Sequence, residues 1–229
     1  MTDAAAAIRD QPLIAIDVVP VSFATTEGLR IATARRAYAP YAGREALPGV
    51  LLDGTEILAD GARRALRTKT GIGSTAVRHL AQVGAFDGPD RDPRSAAISI
   101  AFLAVIDPAA HADATWHDVG ALPLGLPFDH DRIVDSALER ARVLLWSDLP
   151  FTRALLGDPF TTADAARLRI ALTGTAPDPG NLNRTLRTNT ALARVDLPAS
   201  AGPRGGVPGS LDVAGLSTVG WTHVLLPVR

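Results

Sequence analysis

Apolar positions in the first half of the chain fall in short alternating or continuous β-rich runs at Leu13–Ala24, Leu29–Ala37, Val77–Ala85, Ala96–Ile106 and Trp116–Leu122. Each run is bounded by Gly, Pro or Asp clusters, and each predicts a strand. Between the second and third runs the period changes. Leu58, Ala62, Ala65 and Leu66 recur at helical spacing within Thr55–Thr70, and Gly71 follows as a stop. The first 127 residues therefore predict a mixed β-sheet with one well-defined helix.

From Asp129 the pattern turns helical, with Asp129 as the candidate cap and Ile133, Ala137, Ala141, Leu144 and Leu145 carrying the period to Trp146. After Pro150 come three shorter candidates, Thr152–Leu156, Thr162–Leu172 and Asn181–Thr190, with Thr162 and Asp164 marking a helix start and Gly174 a stop. Ala191–Val195 and Ser217–Val228 read as two strands joined by the Pro/Gly-rich segment Pro198–Gly209. Three short helices followed by a hairpin is the order of a winged helix-turn-helix. The boundary falls near Ser147–Pro150, giving a β-rich part over 1–127, a linking helix over 128–148 and a third part over 149–229.

Composition narrows the function classes. None of the 229 residues is cysteine, which removes disulfides, thiol nucleophiles and cysteine-ligated metals. With 47% hydrophobic and 21% charged residues the chain can bury a core. No apolar run approaches the roughly 18–20 residues of a membrane span: Ile100–Ile106 stops at Asp107, and Val143–Trp146 lies between Arg142 and Asp148. Met1–Asp10 has an alanine run but neither a basic start nor a long apolar core, so it does not read as a signal peptide. The expectation is a soluble, cytoplasmic protein. Charge is nearly balanced, 23 basic against 24 acidic groups, but divides as 15 against 18 through residue 147 and 8 against 6 beyond it. The later part has the sign that suits nucleic acid, by a small margin. Lys69 is the only lysine, and Glu27, Glu45, Glu56 and Glu139 are the only glutamates.

That scarcity of glutamate becomes positional at Leu47-Pro48-Gly49-Val50, Glu56, Arg63-Arg64-Ala65-Leu66 and Thr70-Gly71-Ile72. The series resembles the Nudix box, whose pattern is Gly, five residues, Glu, seven residues, Arg-Glu-hydrophobic, one residue, Glu-Glu, one residue, Gly-hydrophobic. Glu56, Arg64, Leu66, Gly71 and Ile72 match at that spacing, whereas Val50 replaces the first glycine and Ala65, Thr68 and Lys69 replace the three helix glutamates. A Nudix enzyme cleaves a diphosphate with carboxylates gathered on one helix face around Mg²⁺, which neutralises phosphate charge and activates water. Only Glu56 remains of those four, and Arg63, Arg64, Arg67 and Lys69 make the helix basic. The resemblance thus implies a degenerate box without efficient metal-dependent hydrolysis.

Neighbouring segments extend the likeness. Arg35-Arg36 with Tyr41-Ala42-Gly43-Arg44 resembles the strand and loop that lead into the box, with Glu45 where a tryptophan is usual. Pro89-Asp90-Arg91-Asp92-Pro93-Arg94 before Ala96–Ile106 resembles ADP-ribose-type Nudix domains, and the run from Trp116-His117 through Leu122-Pro123 to Phe128-Asp129-His130 resembles the exit into a long helix. Their order, over roughly residues 11–190, resembles the Nudix-related transcriptional regulators of NrtR type. The implied class is α+β: a Nudix-fold α/β/α sandwich over 1–127 that senses a ligand, then a winged helix that binds DNA.

Candidate ligand residues are Arg36, Arg44 and Arg94, since an anionic diphosphate needs cationic donors once the metal is gone. Their alternative is surface pairing with aspartates such as Asp90 and Asp92. Lys69, in a metal-ligand position, is a further candidate for supplying positive charge to a phosphate, against the alternative of a solvated helix face. Arg64 reads as structural. In the last part the resemblance runs through Leu149-Pro150-Phe151, Leu155-Leu156 and Pro159-Phe160-Thr161 to Asn181-Leu182-Asn183-Arg184, where the family has its recognition helix. Asn181 and Asn183 can pair with adenine, Arg184 and Arg187 with guanine or phosphate, and Arg204 lies in the wing.

The five histidines, His79, His111, His117, His130 and His223, lack close metal-ligand spacing and read as hydrogen-bonded structural residues. Gly71-Ile72-Gly73-Ser74-Thr75 lacks the Gly-Lys of a phosphate loop, and no Gly-x-Ser-x-Gly elbow occurs. The expectation is a homodimeric regulator, with a repressor as the implied type, that responds to ADP-ribose or a related nucleotide or sugar diphosphate. It would bind a palindromic double-stranded operator and control NAD- or sugar-metabolism genes, with no cofactor. The alternative is a Nudix hydrolase using Mg²⁺ and relocated carboxylates, Asp53, Asp60 and Glu56 being nearest.

Overall fold

The computed structural model describes residues 11–88, 91–110, 112–197 and 219–224. They divide into two units, one running through Ser22 and from Leu29 to Arg142, the other made of Phe23–Gly28 and the residues from Val143. Several sequence readings lie outside the described residues: Met1–Asp10, Pro89-Asp90, His111, the joining segment Pro198–Gly209 with Arg204, and the flanks of the Ser217–Val228 strand.

The first unit is built on β1 (Leu13–Ala24), β2 (Gly28–Arg35), β3 (Glu45–Ala46), β4 (Gly49–Leu51), β5 (Val77–Phe86), β6 (Ala97–Ile106) and β7 (Thr115–Asp118). The path is β3-β2-β1-β6-β5, with β4 also pairing β1 and β7 pairing β2. β1 runs parallel to β6 from Leu13 opposite Ala97 to Val21 opposite Val105, and the other pairs are antiparallel. Both faces of the sheet are covered, which is why β1 is buried continuously from Ile16 to Phe23 rather than at alternate residues. On one face Ile16, Val18, Phe102, Ala104 and Ile106 pack with Ala62, Ala65 and Leu66 of helix α1, Leu58–Thr70. Asp17, Val19 and Val21 point the other way by the two-residue period. Helix α2, His130–Leu144, starts there, with His130 Nε2 3.7 Å from Asp17 Oδ1. Its buried stripe is Ile133, Val134, Ala137, Leu138 and Ala141.

α1 begins at Leu58, the first residue of the apolar period and three residues into the Thr55–Thr70 segment. The Asp53 carboxylate accepts from both the N–H and the hydroxyl of Thr55, and Glu56 N–H donates to Asp53 C=O, closing a turn in place of the first helical turn. Gly71 ends the helix in the left-handed conformation, φ 70°, with its N–H on Arg67 C=O. The run expected as a strand through Leu122 stops at Asp118, whose carboxylate accepts from Gly120 N–H and turns the chain into a short 3₁₀ segment over Val119–Ala121.

The second unit has helices α3 (Leu149–Leu156), α4 (Thr162–Thr173) and α5 (Pro179–Thr188) and strands β8 (Phe160–Thr161), β9 (Leu192–Asp196) and β10 (Val219–His223). Each helix has a side-chain cap: Asp148 for α3, a reciprocal Thr161/Asp164 capping box for α4, and Asp178 for α5. Among the described residues the sheet has three strands in the antiparallel order β8-β10-β9, one more than the expected hairpin. β8 is only two residues long, too short to show a period. Its core joins Phe160, Ala165, Ala166, Leu182, Leu186, Leu192 and Trp221, and the Trp221 indole N–H donates to Thr162 Oγ1 at 2.9 Å.

Gly49 is fixed by packing rather than by backbone conformation. A Cβ there would lie 2.2 Å from Asp17 Oδ1. Gly49→Ala is expected to cost about 1–3 kcal/mol of stability, the usual range for overpacking. Urea denaturation measures it, and a midpoint equal to that of the unsubstituted protein would show that Asp17 is free to move aside.

Candidate functional site

The box positions lie around α1. Arg64 Nε donates to both Glu56 oxygens at 3.1 Å, Arg64 Nη2 also bonds Glu56 Oε1, and a second Nη2 bond reaches Leu51 C=O at 2.8 Å. Glu56 also accepts from Asp53 N–H at 3.0 Å. Those donors, Arg64 first, hold the Glu56 carboxyl below the ordinary carboxylate range, and Glu56 in turn raises Arg64. The pair ties the segment before α1 to the helix itself.

The three positions where the pattern has glutamate offer no donor set for Mg²⁺. Ala65 is fully buried against the sheet, the Thr68 hydroxyl donates to Arg64 C=O at 2.8 Å, and Lys69 is exposed on the solvent side of α1. Val50 is partly buried against the core cluster that includes Ala65 and Leu66. The relocated candidates are engaged too: Asp53 holds the Thr55 turn and Asp60 pairs with Arg63 at 3.4 Å. A hard cation needs several free oxygens, and these residues do not fit one.

Arg36, Arg44 and Arg94 belong to a different part of the first unit, among the β2–β3 loop, the segment before β6 and the approach to α2. The Arg36 guanidinium stacks 4.8 Å from the Phe128 ring centre and that of Arg44 5.6 Å from Tyr41, while Tyr41 and Phe128 meet edge to face at 5.0 Å. Arg36 Nε donates to Pro40 C=O at 2.9 Å and Arg44 Nη2 to Gly125 C=O at 2.6 Å. Tyr41 and Phe128 both have left-handed backbones, φ 64° and 61°. Such strain in bulky residues persists only where the surroundings enforce it, and it gathers at ligand clamps. Partial burial and the neighbouring Arg94 charge lower the Arg36 pKa, opposed by Asp92 and Asp17. Arg94 is chelated by Asp92, Nε to Oδ1 at 2.9 Å and Nη2 to Oδ2 at 2.6 Å. Arg36 and Arg44 are thus joined through two aromatic rings and Arg94 sits within electrostatic reach. Lys69 makes no described contact with this group.

Beneath the arginines lies a buried charge cluster. Asp17 Oδ2 accepts from Arg91 Nη2 at 2.7 Å and from Ser99 Oγ at 2.6 Å, and Arg91 Nε lies 2.9 Å from Asp129 Oδ1. His130 Nδ1 accepts from Leu47 N–H at 3.0 Å, which requires a neutral ring with its proton on Nε2, and burial lowers the His130 pKa. His117 is likewise hydrogen-bonded, with Nε2 2.7 Å from Glu45 Oε2 and 3.0 Å from Thr33 Oγ1.

In the second unit α5 buries Leu182 and Leu186 and leaves Asn181, Arg184 and Arg187 exposed, with Asn183 half-buried. Asn183 Nδ2 donates to Pro179 C=O at 3.0 Å and Arg184 Nη2 to Asn181 Oδ1. Asp178 accepts from Asn181 N–H at 2.7 Å, so the helix presents its polar face from the first turn. Arg187 makes no described side-chain hydrogen bond.

No protein-family model matches the chain. It is 34% identical over 111 residues to an ADP-ribose pyrophosphatase of Methanocaldococcus jannaschii, a match covering 46% of this chain and 63% of that protein. It is 31% identical over 140 residues to the ADPR responsive transcriptional repressor NtrR of Acinetobacter baylyi, covering 56% of this chain and 54% of that one. The chain thus spans between half and two thirds of the curated relatives it matches. The structure of Shewanella oneidensis NrtR complexed with a 27mer DNA superposes over 93% of this chain and 94% of that one, with TM-score 0.69 at 20% identity. This chain has the Nudix fold, and its fold is similar to that NrtR structure over 93% of its length.

The fold expected from the sequence, a Nudix sandwich followed by a winged helix, is therefore the one observed. Sequence reasoning singled out the arginines and the box as candidates, but not Asp17 or the rings of Tyr41 and Phe128 against which Arg44 and Arg36 stack. A lone carboxylate inside the apolar run Leu13–Ala24 was the available signal for Asp17. For Tyr41 and Phe128 the strain is set by tertiary contacts, and local sequence carries no sign of it. In this Nudix-fold chain Glu56 should titrate below ordinary glutamate and move upward in Arg64→Ala, as followed by carboxyl-carbon NMR. Since its folded pKa is depressed, the Arg64 contact contributes above the unfolded pKa of about 4.3 and is lost as pH falls through the native value. An unchanged Glu56 titration in Arg64→Ala would remove the pairing.

Proposed function

We propose that the chain is a transcriptional regulator, acting as a repressor, whose Nudix-fold part senses ADP-ribose or a related nucleotide or sugar diphosphate without hydrolysing it efficiently. Residues 1–127 form the sensing part, 128–148 the linking helix and 149–229 the DNA-binding part, working as a homodimer on a palindromic operator of NAD- or sugar-metabolism genes. The observation that carries the reading is the box on this chain: Ala65, Thr68 and Lys69 supply no carboxylate, Glu56 is engaged by Arg64, and the same chain continues into a winged-helix fold with an exposed Asn181/Arg184/Arg187 face. Arg36, Arg44, Arg94 and Lys69 are the cations offered to the effector. Asn181, Asn183, Arg184, Arg187 and Arg204 are the side chains offered to DNA, with phosphate neutralisation small for so few positive charges.

An effector moves such a switch only by binding one arrangement more tightly, and a tenfold change in DNA affinity needs about 1.4 kcal/mol of coupling. A second reading, a hydrolase of a nucleoside diphosphate derivative with Mg²⁺, draws support from the 34% identity to an ADP-ribose pyrophosphatase.

Fluorescence anisotropy on DNA from upstream of the chain's own coding region tests the first reading. Binding at low salt should weaken by about 1–3 kcal/mol in Arg184→Ala if that side chain reads a base, or lose about one unit of salt slope if it holds a phosphate. Absence of binding at low salt overturns the regulator. Phosphorus NMR of ADP-ribose with Mg²⁺ tests the second: cleavage that disappears in Glu56→Gln would favour the enzyme.

A further inference from the structure

Tyr38 is the most exposed large apolar side chain among the described residues, 78% accessible, yet its loop is firmly tied. Arg36 N–H donates to Arg44 C=O at 2.9 Å, Gly43 N–H to Arg36 C=O at 2.8 Å, Arg44 N–H to Tyr41 C=O at 3.1 Å, and Arg35 Nη1 to Gly43 C=O at 3.1 Å. The loop's other aromatic, Tyr41, turns in against Phe128 in a left-handed backbone. The loop therefore holds one ring inward and presents the other to solvent on a constrained backbone. Two residues before Tyr38, Arg36 shares its surroundings with the like charge of Arg94, and Arg44 closes the loop's far side. An aromatic face on a tied loop, beside a guanidinium that also donates to Tyr38 C=O at 3.5 Å, combines stacking with phosphate binding.

We infer that Tyr38 is a stacking platform for a nucleobase, and that Arg36 and Arg44 take the phosphates attached to it. This rests on the effector reading above and deepens it: the effector is a base-bearing nucleotide rather than a sugar diphosphate alone. Tyr41 and Phe128 have a separate task, which is to hold the two guanidiniums from behind. The ring of Tyr38 is free for the base because no other ring packs against it among the described residues. The base is distinguished from water by its flat apolar face, so purine and pyrimidine nucleotides bind in the order of their stacking area.

The experiment is isothermal titration calorimetry on the full chain with ADP and with inorganic pyrophosphate, which share the diphosphate and differ in the nucleoside. ADP should bind at least tenfold more tightly, equivalent to about 1.4 kcal/mol. Tyr38→Ala should lose that tenfold for ADP and leave pyrophosphate unchanged. Tyr38→Phe should retain it, because the ring does the stacking and the hydroxyl does not. Arg36→Ala should weaken both ligands. An unfolding midpoint unchanged in Tyr38→Ala confirms that the exposed ring is not holding the fold. Equal affinity for the two ligands, or wild-type ADP binding in Tyr38→Ala, overturns the platform and leaves the diphosphate site standing. A Tyr38→Ala variant that changes only self-association overturns it as well and assigns the ring to a protein contact. Failure of the unsubstituted chain to bind either ligand overturns the effector reading and the platform together.

Discussion

A carboxylate buried in the central strand governs the first unit. Asp17 is 6% exposed, on the sheet face opposite the α1 cluster, and it has two close donors, Arg91 and Ser99, with His130 beyond them. Taking such a charge out of water is costly, and removing one partner of a buried pair costs about 3–5 kcal/mol because the other is left uncompensated. The arrangement therefore constrains everything that touches it. β4 must bring a glycine past Asp17, the segment before β6 must return Arg91 to the interior, and α2 must begin where His130 can face the carboxylate. None of these segments adjoins β1 in sequence, so this one charge fixes their meeting.

The constraint reaches the surface in short steps. Arg91 is followed at once by Asp92, which chelates Arg94 beside Arg36. His130 bonds Leu47 N–H just ahead of β4, and its ring lies 5.2 Å from that of Phe128, which supports Arg36 on its other side. Charge follows the same route. With His130 neutral, Asp17 and Asp129 face one interior cation, Arg91, and Arg36 lies close enough to feel Asp17. Through Phe128 the guanidinium at the surface and the buried histidine thus share one neighbour.

The legible features were those whose cause lies within a few residues. β1 announces itself as a continuous apolar run, α1 by its period and α4 by its punctuation, and the Thr161/Asp164 box sits one residue ahead of the Thr162 start read from the sequence. The start of α5 was legible in principle, since Asp178 followed by Pro179 is a cap and a first-turn proline, but the apolar period places the start two residues late. β3, β4 and β8 span only two or three residues, and alternation cannot be seen in so short a run. The pairing of Arg91 with Asp17 crosses 74 residues, and no local window contains both. Candidate cations could be found because arginine chemistry is visible one residue at a time. Which of them share a site could not, since the loop, Gly125 and Phe128 come together only when α2 docks on Asp17's side of the sheet.

The box itself divides along a physical line. One half of its pattern is mechanical: Glu56, Arg64 and Gly71 tie the preceding turn to α1 and end the helix, and all three are present and used. The other half is electrostatic, a set of like carboxylates whose mutual repulsion only a cation relieves. Here three of its positions hold other residues, and the first of them, Ala65, is fully buried where α1 packs on the sheet. The mechanical half needs no metal, so it can persist when the electrostatic half is lost. On the proposed reading, a diphosphate would be neutralised by side chains rather than by a bridging cation. The guanidiniums of Arg36 and Arg44, braced on aromatic rings at the β2–β3 loop, are the cations proposed for that task. Because both are already held by an aromatic ring and a backbone carbonyl, engaging an anion there would cost less ordering than it would for free surface arginines.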